Sequence, residues 1–432
     1  MSASAEWTIS PPAADALPRL LAGALADRPL SLDEHLDRFG PLRQASGRSQ
    51  VEALIELTAA AGLTGRGGAG FPTARKLRAV ADQRARPFIV ANGVEGEPVS
   101  DKDKALLRHA PHLVLDGMAL AAGALGAKGA IVALAASAAF EASAVRAALI
   151  ERNRRRIDHV ATDLVRVPDG FVAGEETAVI RALDGGPAKP TFTPPRPFER
   201  GLRGSPTLVQ NVETFAQLAL VARFGARWFR ALGTDTEPGT ALVTMSGAVG
   251  RPGVYEAPLG VPLEELLAWA SGPSEPLAAL LIGGYFGAWV TAEDALRLRL
   301  LDGDLASVGA SLGARAIVAL PRSACGLVET AHVVRYLADE SAGQCGPCVH
   351  GLDAIATAFE ALARGGPDSS RAPARIERWL GQVTGRGACR HPDGSARLVG
   401  SALRVFAREI ELHAAGRCSG TRRAPLPTGG RT

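Results

Sequence analysis

Nine residues decide how the rest of the chain is interpreted: Gly65-Arg66-Gly67-Gly68-Ala69-Gly70-Phe71-Pro72-Thr73. Four glycines stand in the six positions from Gly65 to Gly70, and a predicted helix follows Pro72. Backbone amides without side chains can approach an anion closely, and a helix N-terminus adds partial positive charge. The loop is therefore typical of a phosphate or nucleotide site. Because it follows a helix and not a strand, it differs from the common dinucleotide fingerprint, and a simple tight turn stays the alternative.

Helices and strands alternate around this loop and predict an α/β domain over residues 51–238. Strands are expected at Phe88–Ala91, Ala130–Leu134 and His159–Val167, with helices filling Lys102–Leu125 between the first two. This alternation is typical of a Rossmann-like fold, in which ligands bind beyond the carboxyl ends of parallel strands. We therefore expect the candidate nucleotide site at that edge of the sheet.

Four further regions flank this domain. Residues 1–50 mix Pro, Ala and short apolar runs and are predicted to form an N-terminal arm. Residues 239–322 contain short strands around one helix, which predicts a small α+β module of β-grasp-like type. Periodic Ala and Leu over 323–418 predict a bundle of three or four helices that carries the cysteines. Residues 419–432 are rich in Gly, Pro, Thr and Arg, and a disordered tail is expected there.

Composition and charge argue against two classes of function. The 432 residues are 47% hydrophobic and 21% charged, which is the balance of a globular protein. The net charge is +4, but cations and anions interleave, and the one dense run, Arg152–Arg156, suits a solvated helix end, so nucleic acid is not an expected partner. Asp116 and Lys128 interrupt the most apolar stretch, His112–Phe140, below the ~20 apolar residues of a membrane span. We expect no membrane insertion and a cytoplasmic location.

Two acidic segments stand where a nucleotide site would need hydrogen-bond acceptors. Asn92-Gly93-Val94-Glu95-Gly96-Glu97-Pro98 follows the first predicted strand, and Gly174-Glu175-Glu176-Thr177 begins a predicted helix. Carboxylates near a flavin or a nicotinamide can accept hydrogen bonds from amide and ribose hydroxyl groups. As residues of a first helical turn, they would also simply complement the helix dipole.

The five cysteines favour metal or redox chemistry over disulfides, because their number is odd and they cluster late in a long chain. Cys345 and Cys348 form a Cys-x-x-Cys turn before a predicted helix, and Cys389 follows later. An iron–sulfur cluster needs four ligands, so three thiolates leave three alternatives open: a cluster with one non-cysteine ligand, a site that does not bind iron, or a Cys345–Cys348 redox pair. Whether Cys325, Cys418 or the nearby His350 supplies a fourth ligand stays open.

Five segments, in this order, resemble the NADH- and FMN-binding subunit of respiratory complex I and the related diaphorase subunits of NAD-linked hydrogenases and formate dehydrogenases. They lie between Val51 and Cys418: Gly65–Pro72, Asn92–Pro98, Gly174–Thr177, Lys189-Pro190 with Phe192, and Asn211–Thr214. The resemblance implies an NADH:acceptor oxidoreductase with FMN, NAD(H) and a [4Fe–4S] cluster. Hydride passes from NADH to FMN, and single electrons pass to the cluster and then to a partner electron-transfer subunit or ferredoxin. No side chain need act as acid or base.

The same resemblance implies which residues contact the cofactors. FMN phosphate and ribityl would lie near the glycine loop, Lys76 and the Asn211–Thr214 segment, while acidic residues face the nucleotide and Phe71 and Phe192 stack on rings. The full predicted set is Gly65, Arg66, Gly67, Gly68, Ala69, Gly70, Phe71, Lys76, Asn92, Glu95, Glu97, Gly174, Glu175, Glu176, Lys189, Phe192, Asn211 and Thr214. The predicted iron ligands are Cys345, Cys348 and Cys389.

Four positions depart from the family pattern. Val94 stands where an acidic residue is usual, Ala79 where an aromatic is usual, and Phe171 where a tyrosine is usual. Ala342 takes the place of the first of the family's clustered cysteines. These departures motivate an alternative: a non-catalytic or cluster-lacking paralogue that serves as a nucleotide-binding structural subunit.

Overall fold

The computed structural model describes residues 16–22, 28–42, 47–366, 369–421 and 426–428. Its helices are α1 (Leu32–Phe39), α2 (Arg48–Ala61), α3 (Thr73–Ala81), α4 (Lys102–His109), α5 (Pro111–Ala124), α6 (Ala139–Arg155), α7 (Glu176–Leu183), α8 (Val212–Arg230), α9 (Leu263–Trp269), α10 (Ala292–Ala295), α11 (Asp302–Ala306), α12 (Gly326–Asp339), α13 (Leu352–Arg364), α14 (Ala372–Val383), α15 (His391–Val405) and α16 (Ala407–Ala414). Its strands are β1 (Phe88–Gly93), β2 (Gly129–Ala135), β3 (Thr162–Val167), β4 (Thr207–Asn211), β5 (Thr240–Gly247), β6 (Gly253–Pro258), β7 (Leu277–Ile282), β8 (Ala288–Thr291) and β9 (Ala316–Pro321).

These elements form two compact units. The first contains the described residues up to Val94, together with Asp103–Val167 and Pro195–Thr240. The second contains Glu95–Lys102, Pro168–Pro194 and the described residues from Ala241 onward. Two segments of the predicted 51–238 domain thus belong to the second unit. The predicted division at 238/239 and 322/323 stays a prediction.

A four-stranded parallel sheet in the order β3-β2-β1-β4 forms the centre of the first unit. The two central strands, β1 and β2, are nearly continuous apolar runs buried along almost all of their length, as expected for parallel strands covered on both faces. The edge strand β3 contains Asp163 and Arg166 and is only partly buried. Helices α5 and α8 cross closely at Gly117, where an added Cβ would lie 1.9 Å from the Phe215 carbonyl oxygen. The chain therefore needs glycine at this crossing.

A buried ion cluster in the first unit holds α1 against α5, α6 and α8. Asp116 of α5 accepts hydrogen bonds from His35, at 2.6 Å, and from Arg152, at 2.8 Å, and it also pairs with Arg223. Burial alone would raise the pKa of Asp116, but the charges of His35, Arg223 and Arg152 hold it well below its usual value. Arg152 differs from the predicted solvated helix end, because Asp116 and Asp158 pair with its guanidinium and offset the cost of burying it.

A five-stranded mixed sheet in the order β6-β5-β9-β7-β8 belongs to the second unit. Strand β9 runs parallel to β5 and antiparallel to β7. Three short helices, α9, α10 and α11, lie between the strands of this sheet, where the sequence predicted one. Helix α10 is only four residues long and begins where the Thr291 side chain accepts from the Asp294 amide. Such a turn lacks a periodic apolar pattern that sequence could reveal.

Among the residues described after the mixed sheet there are five helices, α12–α16, where three or four were predicted. The predicted apolar positions of α13, including Ile355, Phe359 and Leu362, are buried in the core of the second unit. Within the described part of the chain, every helix is too short or too polar to cross a membrane.

Both predicted terminal regions are described only in part. Residues 1–15, 23–27 and 43–46 of the N-terminal arm lie outside the described residues, as do 422–425 and 429–432 of the predicted disordered tail. Residues 419–421 and 426–428 of this region are described, and the disordered tail stays a prediction. Leu426 is buried in the core of the second unit, and its amide donates to Glu329 at 3.3 Å. Burial of one leucine and satisfaction of its amide favour an ordered position.

Candidate functional site

The glycine loop closes on itself before α3. The Gly65 amide donates to the Phe71 carbonyl at 2.9 Å, and the Thr73 amide donates to the Leu63 carbonyl at the same distance. Gly68 and Gly70 have φ values of 100° and 60°, a left-handed region that favours glycine. The tip of the loop, residues 67–69, is exposed. Closure at the base therefore presents a tip without bulky side chains.

Two contacts hold the loop against the β4–α8 junction. The Arg66 amide donates to the Thr214 hydroxyl at 2.8 Å. A Cβ added to Gly67 would lie 3.1 Å from the Asn211 Cβ, so a side chain there would push into the loop's own support. The Arg66 guanidinium is buried and donates to Thr64 Oγ1 at 2.8 Å. Arg66 thus anchors the loop through both its backbone and its side chain.

The order of the parallel sheet reverses beside this loop. Strands β2 and β3 lie on one side of β1 and β4 lies on the other, and Asn92 of β1 is in register with Asn211 of β4. The Asn211 Oδ1 accepts from the Glu213 amide at 3.0 Å, and its Nδ2 donates to Asp103 at 2.6 Å. Open α/β sheets bind ligands at such a reversal, beyond the carboxyl ends of the strands. Sequence reasoning missed Asp103. Its position in the first turn of a predicted helix was the one available signal.

The first unit therefore brings together the glycine loop, Asn92, Asn211 and Thr214. The sequence predicted that these residues share one site. Lys76 lies on α3 and is partly exposed. Phe71 is half exposed, with the Arg75 guanidinium 5.4 Å from the centre of its ring. Glycine at left-handed positions and amide side chains at the sheet edge fit a phosphate-bearing group.

The acidic segment after β1 lies in the second unit. Glu97 accepts from the Tyr285 amide at 2.8 Å, and burial raises the pKa of its carboxyl to about 8. Glu95 accepts from the Ser100 hydroxyl at 2.5 Å. A Cβ on Gly96 between them would lie 2.6 Å from the Gly170 carbonyl oxygen, so glycine is required. The segment is held rigidly, with Glu97 poised to hold a proton at neutral pH.

The second acidic pair begins α7. Glu175 is the N-cap and accepts from the amides of Thr177 at 2.9 Å and Ala178 at 3.1 Å. Burial raises the pKa of Glu175. Glu176 is the first residue of α7 and is partly exposed, as is Gly174 just before the pair. The Glu175 carboxylate thus serves the helix start, which is the role that sequence reasoning kept as the simpler alternative.

Lys189 contacts the segment that leads to the cysteines. Its Nζ donates to the Ala342 carbonyl at 2.8 Å. Two residues later in that segment, Gln344 donates to the Pro190 carbonyl at 2.6 Å and accepts from Arg181 at 2.9 Å. Phe192 is 70% exposed. Residues 189–190 therefore position the cysteine loop, a role that the sequence did not indicate.

Cys345, Cys348 and Cys389 lie near one another in the second unit. Burial raises the pKa of the Cys348 thiol to about 12, with a hydrogen bond to Cys345 and the charges of Cys345 and Cys389 acting in the same direction. Burial also raises the pKa of Cys389, to which the charge of Glu175 contributes. Three converging thiols fit three of the four ligand positions of a [4Fe–4S] cluster. Ala342 is buried and offers no side-chain donor, and His350 is exposed.

The two remaining cysteines belong to a different group. Cys325 Sγ lies 3.4 Å from His413 Nε2, and Glu409 and Cys418 complete the group. Sequence reasoning missed Glu409 and His413. Their spacing of four residues on a predicted helix, which places both on one face, was a usable signal.

Three family models match separate parts of the chain. Residues 58–220 match the Nuo51 FMN-binding domain, and residues 242–283 match the SLBB domain. Residues 322–413 match the NADH-ubiquinone oxidoreductase-F iron-sulfur binding region. The first range contains the glycine loop, and the last contains the three converging cysteines.

A relative of nearly full length decides the family. The NADH-quinone oxidoreductase F-subunit 2 of Rhizobium meliloti (strain 1021) is 31% identical over 388 residues, covering 87% of this chain and 92% of that protein. This chain belongs to the family of NADH-quinone oxidoreductase F-subunits. The F-subunit of Streptomyces coelicolor (strain ATCC BAA-471 / A3(2) / M145) is also 31% identical, covering 84% of this chain and 83% of that protein.

A solved structure agrees with this family assignment. The crystal structure of NAD+-reducing [NiFe]-hydrogenase in the air-oxidized state contains a chain that matches with a TM-score of 0.76 and 30% identity. The match covers 87% of this chain and 64% of the hydrogenase chain. The predicted family, the α/β fold class with a helical C-terminal region, and the class of flavin-dependent NADH oxidoreductase are confirmed.

Proposed function

We propose that this chain is the NADH-oxidising subunit of an electron-transfer complex, and that it passes electrons to a partner electron-transfer subunit or ferredoxin. The observation that carries this proposal is the meeting of the glycine loop with Asn92 and Asn211 at the reversal of the parallel sheet. Bound FMN supplies the conversion of a two-electron hydride donor into one-electron transfers. The protein's part is to bind, orient and shield.

In the first unit, the exposed tip of the glycine loop provides backbone amides for an anionic phosphate. Thr214 holds the loop through the Arg66 amide, and Asp103 orients the Asn211 side chain at the sheet edge. These residues are predicted to bind FMN phosphate and ribityl, with Lys76 adding positive charge from α3. Because the loop is anchored before ligand binds, little ordering entropy is lost on binding.

In the second unit, Glu97 and the α7 start are predicted to face the nucleotide, and Cys345, Cys348 and Cys389 to bind iron. Protonated Glu97 can donate a hydrogen bond to a nucleotide carbonyl, which an ionised carboxylate cannot. Lys189 holds the Ala342 carbonyl and so fixes the approach to Cys345. Because residue 342 is alanine, the fourth ligand of the cluster would have to come from another group.

Anaerobic absorption spectroscopy of the purified full chain, reconstituted with FMN and iron, tests the proposal. We expect a flavin spectrum that bleaches when NADH is added, together with NADH-dependent reduction of ferricyanide. Absence of a flavin spectrum would overturn the proposal. Nucleotide binding without bleaching would instead establish the alternative, a non-catalytic structural paralogue.

The Gly67→Val variant separates flavin binding from iron binding in this experiment. A branched side chain at 67 would meet Asn211, so flavin binding should fall while the iron content stays unchanged. A cytoplasmic location belongs to the same proposal. Fractionation of cells checks this location, and the chain is expected in the cytoplasmic fraction and not with the membranes.

A further inference from the structure

Four potential metal ligands meet at the carboxyl-terminal end of the helical region. They form what we name the carboxyl-terminal donor group: Cys325, Glu409, His413 and Cys418. One ligand atom from each residue lies within 4.8 Å of every other. Cys325 and His413 are buried, whereas Cys418 is exposed. The group is separate from the three cysteines predicted to bind iron.

Three pieces of chain bring these ligands together. Cys325 is the N-cap residue of α12, and Glu409 and His413 stand one turn apart on one face of α16. After α16 the chain turns at Gly416, whose φ is 69°, and returns past Cys325. The Thr421 amide donates to the Ser323 carbonyl at 2.9 Å, which fixes this return. Cys418 reaches the group from the returning segment.

Close packing of the return over Cys325 requires a glycine. A Cβ added to Gly420 would lie 2.8 Å from the Cys325 nitrogen and 2.9 Å from its Cβ. The Ser419 amide also donates to Glu409 at 3.2 Å, which orients that carboxylate. A hydrogen bond from the backbone to a ligating carboxylate is the usual support of a metal ligand.

Distances among three of the four ligand atoms are close to those around one tetrahedral ion. Cys325 Sγ lies 3.4 Å from His413 Nε2 and 3.9 Å from Glu409 Oε2, and the last two atoms are 3.8 Å apart. Zinc bonds of about 2.3 Å to sulfur and about 2.0–2.2 Å to nitrogen or oxygen place tetrahedral ligand atoms roughly 3.4–3.8 Å apart. A [4Fe–4S] cluster binds each thiolate through a different iron and needs more room. The group therefore has space for a single ion.

We propose that the carboxyl-terminal donor group binds one Zn²⁺ ion. Two thiolates and one imidazole are ligands that Zn²⁺ prefers, and a carboxylate completes the four positions. All four positions are filled by protein, which is the mark of a structural site and leaves none open for catalysis. The ion would fasten the returning segment, residues 415–421, to the start of α12 and to α16.

Metal analysis of the full-length protein is the first test. We expect about one zinc per chain by inductively coupled plasma mass spectrometry after anaerobic purification from zinc-containing medium. Cys418→Ser should reduce the zinc content to near zero. Because Cys418 is exposed, this variant retains the core and should fold. Zinc far below one per chain in the unaltered protein, or zinc unchanged in Cys418→Ser, would overturn the proposal.

Matched variants separate this site from the predicted iron site. Glu409→Gln should weaken zinc binding, whereas Glu411→Gln on the same helix, where the side chain is exposed, should not. Cys345→Ser should lower the iron content and leave the zinc content unchanged. Loss of zinc in Cys345→Ser would contradict a separate site.

Co²⁺ substitution and thiol labelling report on the ligands directly. Co²⁺ bound in place of zinc should give the visible absorption of a tetrahedral ion and a thiolate charge-transfer band that weakens in Cys418→Ser. Cys325 and Cys418 should resist alkylation until a chelator removes the metal, and then react as free thiols. A peptide joined by a Cys325–Cys418 disulfide in the anaerobic protein would reject the zinc site in favour of a crosslink.

Discussion

The glycine loop of the first unit and the cysteine group of the second are two candidate sites formed by different parts of the polypeptide. The loop offers backbone atoms, and a Cβ added to Gly67 would press against the Asn211 Cβ at 3.1 Å. The cysteine group offers side-chain sulfur, and Ala342 removes one of the usual donors. A site formed by backbone is sensitive to added atoms, whereas a site formed by side chains is sensitive to deleted ones.

This difference predicts opposite tolerances. In the loop, the smallest substitution, glycine to alanine, should already reduce binding, because it adds both bulk and left-handed strain. In the cysteine group, a change of similar size, cysteine to serine, removes a metal ligand and leaves the fold intact. Variants at the two sites should therefore affect flavin and iron independently.

The largest effect is expected for Cys348→Ser. With only two thiols left, the chain should lose nearly all of its cluster iron while it keeps its flavin. Iron and flavin per chain, together with the electron paramagnetic resonance signal of the reduced protein, measure this. Cys418→Ser is the matched control and should keep its iron. Equal iron in Cys348→Ser and the unaltered chain would remove this thiol from the cluster site.

Gly68→Ala should weaken FMN binding by about 30-fold, or about 2 kcal/mol, because alanine at a φ of 100° is strained. Titration of the flavin-free protein with FMN, followed by fluorescence, gives the dissociation constant. Gly126→Ala is the matched control, since Gly126 also has a positive φ of 60° and open space around it. It should lower stability without changing flavin affinity. Similar flavin affinities in the two variants would argue against a special role for the loop.

Glu97→Gln should alter how stability depends on pH. The pKa of Glu97 is about 8 when folded, above its ordinary value of 4.5. Its contribution to stability is therefore fully present below pH 4.5 and is lost as the pH rises through about 8. Glutamine cannot ionise, so this loss should shrink by about 1–2 kcal/mol, allowing for partial exposure of the residue.

Urea denaturation at several pH values measures the effect of Glu97→Gln, with Glu411→Gln as an exposed control. The control should follow the pH profile of the unaltered chain. If Glu97→Gln follows it as well, the carboxyl of Glu97 is not protonated in the folded protein at neutral pH.

The smallest effect is expected for Ala342→Cys. A thiol at this position would supply a fourth sulfur beside the three present, so iron loss in air should become a few-fold slower. Lys189 donates to the carbonyl of residue 342, not to its side chain, so the substitution leaves that contact in place. Bleaching of the cluster absorption over time measures the rate. An unchanged rate would show that residue 342 lies outside the cluster's reach.

Local patterns allowed much of the fold to be predicted. The apolar runs of β1, β2 and β3 and the periodic residues of α13 form the predicted strands and helix, within a few residues at each end. The glycine loop was also recognised, because its four glycines stand within six residues of the sequence. Helices α10 and α11 were missed, since elements of four or five residues depend on capping contacts and not on periodicity.

The sequence by itself determined the family, the glycine loop and the three candidate iron ligands, because each is recognised from short motifs whose order and spacing are read directly from the chain. Only the tertiary structure decided that Lys189 holds Ala342, 153 residues away, that Arg152 is buried against Asp116, and that Cys325 meets His413. Such contacts depend on how helices and sheets pack. The identity of a residue does not tell which distant residue it will contact. The physical reason is that packing brings together segments whose local patterns contain no information about each other.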